Sequence, residues 1–244
     1  MNKKPNNEFS AFHTLSGPLV IPLTNDYSFR ALMQKNKNVL KGLICSLLHM
    51  KSDEIFSIEI LNPIVLGEAI KDKIFILDIL VKLNNQSVLN LELQVINQHN
   101  WTDRSLVYLC RAFDRLNRGE DYGACSPAFQ IGILDFTLFL DEPELFSTYK
   151  LLNVKTGKLY SDKFTIHVLD LNQTELATEE DKEYEIDYWA KLFKARTCLV
   201  KQYVDFNAQR TNPGMNMEGC SLLVALKSTY GTNIRGIAYV SGKG

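Results

Sequence analysis

Residues Ile74–Gln98 read IFILDILVKLNNQSVLNLELQVINQ, and this stretch decides the fold. Two apolar runs, Ile74–Leu83 and Val88–Ile96, flank the polar joint Asn84-Asn85-Gln86-Ser87. Each run has strand length and is rich in Ile, Val and Leu. The joint supplies turn residues, so the stretch predicts a β-hairpin. Side chains alternate along a strand. In the second run Leu89, Leu91, Leu93 and Val95 face one way, and Asn90, Glu92, Gln94 and Ile96 face the other. In the first run Asp78 shares a face with Ile74, Ile76 and Leu80, while Phe75, Leu77, Ile79 and Val81 take the opposite face. Burying an unpaired carboxylate costs several kcal/mol, so Asp78 requires a cation, a metal or several hydrogen-bond donors.

The register of the hairpin determines whether the acidic side chains meet. A turn centred on Asn85 sets Asp78 opposite Glu92 on one face. A turn centred between Asn85 and Gln86 sets Asp78 opposite Leu93 and sends Glu92 to the far side. A slip of one residue exchanges the two faces. The first register gathers the polar side chains and is the one expected. Two carboxylates and an amide oxygen on one sheet face suit Mg²⁺ or Mn²⁺, which prefer oxygen ligands. Such an ion activates water and stabilises charge developing on a phosphate. The competing reading of Glu92 and Gln94 is an amphipathic hairpin with a solvated polar face.

Asp78, with Glu92-Leu93-Gln94 fourteen positions further on, resembles the core motif of the PD-(D/E)XK nucleases. It is similar to the ExQ form found in the Rpn family of recombination-promoting nucleases and transposases. Asn25–Arg30 (NDYSFR) resembles the opening of that family. Glu59–Pro63 (EILNP) and Leu66–Glu68 (LGE) resemble its approach to the hairpin. Arg104–Leu109 (RSLVYL) resembles its following helix, and Ile131–Phe139 (IGILDFTLF) its next strand. The resemblance spans about Thr24 to Ala195. It implies a metal-dependent DNA endonuclease in which Asp78 and Glu92 hold Mg²⁺ or Mn²⁺ and the backbone carbonyl of Leu93 completes the shell. In the family pattern the last motif position is commonly lysine. Gln94 stands there in this chain, and glutamine orients water by hydrogen bonding without replacing a cation. Glu68, Glu59 or Asp26 would supply the additional acid often seen in this fold. Arg104 and Tyr108 match motif positions of the following helix.

Composition bounds these readings. The chain has 244 residues, 45% hydrophobic and 23% charged, with a formal net charge of −1. That balance excludes a strongly basic, non-specific DNA binder and is silent on local patches. Five cysteines, Cys45, Cys110, Cys125, Cys198 and Cys220, are odd in number and form no CxxC, so they read as reduced thiols in a cytosolic setting. The polar N-terminus lacks the apolar core of a signal peptide. No run approaches the ~18 apolar residues of a membrane span, so a cytoplasmic protein without a membrane partner is expected. Oligomeric state is not legible. His13, His49, His99 and His167 are far apart and form no HExxH. Neither a GxSxG elbow nor a Gly-rich phosphate loop is present.

The expected organisation is an N-terminal arm over 1–22, a nuclease-like domain over 23–196 and a divergent, Gly-punctuated tail over 197–244. The fold class is α/β, with a PD-(D/E)XK restriction-endonuclease-like core. A mixed sheet is expected from strands 55–61, 74–83, 88–96 and 128–140, flanked by helices 26–49 and 101–118. Phe164–Leu171 reads as a further strand and Ile186–Ala195 as an amphipathic helix. Asp135, also embedded in an apolar run, is expected to be structural near a strand end. His167 reads as structural, His49 as a helix-end residue and His99 as a loop residue. In the 101–118 helix, Asn100 is the expected N-cap and Gly119 the stop. Leu106, Leu109, Cys110, Phe113 and Leu116 form the expected core stripe. Arg104, Tyr108, Arg111, Arg115 and Arg118 form the opposite stripe, which can clamp phosphates or lie solvated. Two other readings compete with an enzyme. One is a catalytically silent nucleic-acid-binding or protein-interaction module on the same fold. The other is a decayed mobile-element remnant that folds poorly.

Overall fold

A computed structural model describes residues 23–61, 79–116 and 118–195. The expectations that fall on 1–22, 62–78 and 196–244, including those for Glu68 and Asp78, lie outside the described residues.

The central hairpin forms as β2 (Ile79–Leu83) and β3 (Ser87–Gln94), paired antiparallel. Ile79 pairs with Leu91, Val81 with Leu89 and Leu83 with Ser87, so the turn is centred on Asn85. Of the two registers left open by the sequence, this is the one that gathers the polar side chains. The turn is made by Asn84 and Asn85, both left-handed with φ of 52° and 57°. Asparagine tolerates that region better than branched residues do. Asn84 is held further by its side chain. Its Oδ1 accepts from the N–H groups of Phe56 (3.0 Å) and Ser57 (3.3 Å), and its Nδ2 donates to the Glu54 carbonyl (2.7 Å). The turn is thereby fastened to the chain leading into β1 (Ile58–Ile60), which pairs antiparallel with β2.

From β3 the chain enters helix α3 (Trp101–Phe113) and returns as β4 (Ala128–Leu134), parallel to β3. Parallel neighbours need such a crossover. Next come β5 (Phe146–Leu152) and β6 (Leu159–Asp170), the latter parallel to β4 and antiparallel to β5. The sheet order is β1-β2-β3-β4-β6-β5, a mixed sheet within an α/β fold. β5 was not foreseen, because Ser147, Thr148 and Lys150 interrupt its apolar pattern. β4 ends at Leu134 rather than 140, and Asp135 stands just beyond it as expected, its carboxylate 2.6 Å from Lys194 Nζ.

One sheet face carries the main core. Ile79, Val81, Leu89, Leu91, Leu93, Ile131, Ile133 and Leu169 pack there against α1 (Asp26–Lys35), α2 (Lys37–Leu47) and α5 (Ile186–Lys194). The region 26–49, which reads as a helix from near Asp26 followed by a second helical segment over Val39–His49, divides at Asn36. The Asn36 side chain caps α2 by accepting from the N–H groups of Asn38 and Val39. Buried Trp189 on α5 donates to Ser46 Oγ on α2 at 3.0 Å, which joins the two helices across the core. A short helix, α4 (Glu179–Glu183), precedes α5 and is closed by a Thr178–Asp181 capping box.

The other face is covered by α3, and here the expected helix face is corrected. Trp101, Ser105, Tyr108, Leu109 and Ala112 are buried, whereas Leu106 and Cys110 are exposed. The cause lies in the sheet. Gly132 leaves a slot on β4, and the Trp101 indole fills it so closely that a Cβ built on Gly132 would overlap the ring at Cζ2 and Cη2. Burying one indole outweighs burying Leu106 with a thiol. The helix is therefore rotated so that its Ser105 and Tyr108 side meets the polar stripe of β3. It also stops at Phe113, so Arg115 and Arg118 do not continue the arginine row as helix. Asn100 occupies the N-cap position without a side-chain capping bond. Among the described residues no helix is long and apolar enough to cross a membrane.

Candidate active site

Alternation along β3 sends Asn90, Glu92 and Gln94 to the α3 face, with Leu89, Leu91 and Leu93 in the core opposite. Asn90 is fully buried and Glu92 is 2% exposed. Both require partners, and the partners come from two neighbouring elements. Gln130 on β4, also fully buried, donates from Nε2 to Glu92 Oε2 at 3.2 Å and accepts at Oε1 from Asn90 Nδ2 at 2.9 Å. From α3, Arg104 brings Nε to 2.5 Å from Glu92 Oε1. The Nε–H is not aligned with hydrogen-bond geometry, so charge holds this contact. The Arg104 guanidinium carbon lies 5.0 Å from the Tyr108 ring centroid, a cation–π contact between residues one helical turn apart.

Gln94, two residues beyond Glu92, donates from Nε2 to the Ile96 carbonyl at 3.0 Å. Its Oε1 is buried and has no hydrogen-bond partner among the described residues. The same is true of Asn90 Oδ1. A carboxylate flanked on one strand face by two amide oxygens lacking donors is an oxygen-rich stripe. That donor set fits a hard divalent cation such as Mg²⁺ or Mn²⁺. Among the described residues no three His, Cys, Asp or Glu side chains gather closely enough to hold a metal by themselves. A further acidic ligand would have to come from outside the described residues, where Asp78 and Glu68 lie.

The remaining candidates separate by position. Leu93 buries its side chain in the main core, and its backbone lies in the ladder with Ile133 of β4. Glu59 pairs with Lys82, level with Val88, which is four residues or about 13 Å along the sheet from Glu92. Asp26 is exposed on α1, a helix packed on the opposite face of the sheet. Arg111 and Arg115 are exposed, and Arg104 is the arginine that meets Glu92. His167 faces the main core. It is stacked on Phe146 with centroids 5.4 Å apart, and its Nδ1 lies 2.9 Å from Thr148 Oγ1. Burial lowers its pKa to about 4, so it is a neutral structural group. His49 follows α2 as a helix-end residue, stacked on Tyr184 at 4.4 Å.

Gln130 and Gly132 are the parts of the site that sequence reading missed. Both interrupt the apolar run AFQIGIL, the same kind of signal that marked Asp78, and both fall on the α3 face of β4.

A family model described as PD-(D/E)XK nuclease family transposase matches residues 23–219. No curated protein and no solved structure matches the chain. The matched region holds the mixed sheet, the polar stripe of β3 and the Arg104–Tyr108 helix, and it takes in most of the sequence. The chain belongs to the PD-(D/E)XK nuclease family transposases.

Proposed function

We propose that this protein is a metal-dependent DNA endonuclease of the recombination-promoting type, hydrolysing phosphodiester bonds at the α3 face of β3. The observation that carries the reading is Glu92, a buried carboxylate on the ExQ strand, set between Gln130 and Arg104. Glu92 and Asp78 would hold Mg²⁺ or Mn²⁺, with the Leu93 carbonyl as a third oxygen. The bound ion would lower the pKa of water and offset charge on the phosphate.

The residues of the chain prepare the rest. Gln130 fixes the Glu92 carboxylate through Oε2, so one oxygen direction is set before any ligand arrives. Gln94 offers a buried amide oxygen that can accept a hydrogen bond from water and orient it. It is neutral and takes up no proton, so proton removal falls to solvent or to a substrate oxygen. Arg104, 32% exposed at its side chain, can share its guanidinium between Glu92 and an incoming phosphate. Tyr108 beneath it limits the directions it can take. The reading puts the protein in the cytoplasm, where Cys45, Cys110 and Cys125, all unpaired, would stay reduced.

A second reading is a catalytically silent nucleic-acid-binding or protein-interaction module on the same fold. It is favoured by the engagement of both Glu92 oxygens with protein groups. Plasmid cleavage with Mg²⁺, Mn²⁺ or EDTA, beside Asp78→Ala and Glu92→Gln, separates the two. Metal-dependent nicking abolished by either substitution supports the nuclease. A folded wild-type protein that leaves plasmid intact supports the silent module. Equal cleavage by the variants rules out this site.

A further inference from the structure

We infer that the β5–β6 hairpin is a grip for the nucleic-acid backbone, separate from the cleavage site. This inference rests on the nuclease reading for the nature of the partner. Every residue from Thr148 to Tyr160 is exposed; at its base Tyr149 meets Phe139 and Thr148 meets His167, while from Lys150 to Tyr160 the hairpin presents its residues to solvent. The fold does not require it to project. β6 could end at Phe164, where its pairing with β4 ends, yet it extends on to Leu159.

The projection has a defined shape. Leu151 pairs with Ser161 and Leu152 with Leu159, with register shifts on either side of Leu151, the kind of irregularity at which a strand bends and twists. Its tip is closed by Asn153, whose N–H donates to the Lys158 carbonyl (2.8 Å) and whose Oδ1 accepts from the N–H groups of Lys155 (2.9 Å) and Thr156 (3.1 Å). Gly157 takes the left-handed conformation there, with φ of 67°.

Its chemistry points to a polyanion. Residues 148–160 include Lys150, Lys155 and Lys158 and no acidic residue, in a chain with 27 basic and 28 acidic residues. Beside the lysines stand exposed Tyr160 (85%) and Val154 (99%). Phosphates accept the ammonium groups, and sugars and base edges accept the apolar surface. A two-stranded ribbon also fits the major groove of B-DNA. Asp162 and Lys163 follow in β6 and offset one another, so the surplus of three lysines stands, and like charge argues against two such arms packing on one another.

The placement suits a distal contact. Val168 is level with Glu92 across β4, and Leu159 lies nine residues along β6 from Val168. At about 3.3 Å per residue the arm reaches roughly 30 Å from the Glu92 level, or some eight to nine base pairs of duplex.

The test is binding of the full chain to a 40-base-pair duplex in EDTA, across a range of KCl, for wild type and the triple variant K150Q/K155Q/K158Q. The expected result is at least a tenfold loss of affinity near 0.1 M salt. The slope of log K against log salt should fall in magnitude by about 2–3, near 0.9 for each phosphate that a lysine no longer neutralises. The triple arginine variant should restore both. An unchanged melting temperature shows that the exposed substitutions leave the fold intact. If the fold suffers, the single variants are read in its place. Wild-type affinity and slope in the glutamine variant overturn the arm, and cleavage by wild type in that case leaves the nuclease reading standing. Arm-dependent binding without metal-dependent cleavage supports the arm and removes the nuclease. No DNA binding by wild type at any salt overturns the arm. So does a variant that alters self-association in sedimentation while its DNA binding is unchanged, which assigns the surface to a second copy.

Discussion

Arg104 on α3 and Glu92 on β3 form an ion pair with 2.5 Å between Nε and Oε1, and the carboxylate is 2% exposed. The helix is thereby tied to the strand that carries the site, and the guanidinium stands beside a carboxylate that is almost wholly buried. Removing the guanidinium leaves a buried carboxylate with less compensation. Arg104→Ala is expected to lower stability by about 2 kcal/mol in urea titration. Arg104→Lys should recover part of this and lose the planar stacking on Tyr108. An unshifted urea midpoint for Arg104→Ala would show the pair to be energetically idle. Glu92→Gln retains the shape and the Gln130 contact, and should reduce plasmid nicking by roughly a hundredfold or more.

Gln130 joins Asn90 and Glu92 through both ends of its amide. Gln130→Leu strands two buried polar groups, and each is expected to cost about 1–3 kcal/mol. Adding Asn90→Leu removes one of the stranded groups. The double variant should therefore be less unstable than the sum of the singles, by roughly 0.5–3 kcal/mol of coupling. Strict additivity in denaturation midpoints would contradict the network.

Gly132 owes its identity to Trp101. A Cβ at this position overlaps the indole at Cζ2. Gly132→Ala must displace the ring or the strand, and overpacking of this kind costs about 1–3 kcal/mol or more. The expected signs are a lowered melting temperature and a shifted tryptophan emission. Trp101→Leu in the same chain should relieve part of the loss, and a double variant no better than Gly132→Ala would refute the clash.

His167 ties stability to pH. Its pKa is lowered from 6.5 to about 4 by burial first, then by the charges of His49 and Lys150. The unfolded chain binds the proton between these values and the folded chain does not. Stability from this group is therefore complete above about 6.5 and is lost as pH falls towards 4, by about 3 kcal/mol in all. His167→Leu should melt with a shallower dependence over that window. Parallel melting curves for variant and wild type would disprove it.

The sequence by itself determined the hairpin, the two faces of β3 and the family. Alternation is a local property of the strand, and Asn84-Asn85 are two of the few residues that accept a left-handed turn. The motif set from Asn25 to Phe139 was legible because each part is short and contiguous in sequence. Tertiary structure alone decided how α3 turns. Leu106 and Cys110 looked like a core stripe, but the slot above Gly132 admits an indole, and the sheet beneath is polar at Asn90, Glu92 and Gln130. No pattern within one helix encodes the shape of the surface it will meet. The same holds for Gln130 and Glu92, which are brought together across parallel strands whose register is set by packing against α3 and the main core. The β5–β6 arm was illegible for a related reason, since an alternating strand pattern arises from one buried face and every residue from Thr148 to Tyr160 is exposed.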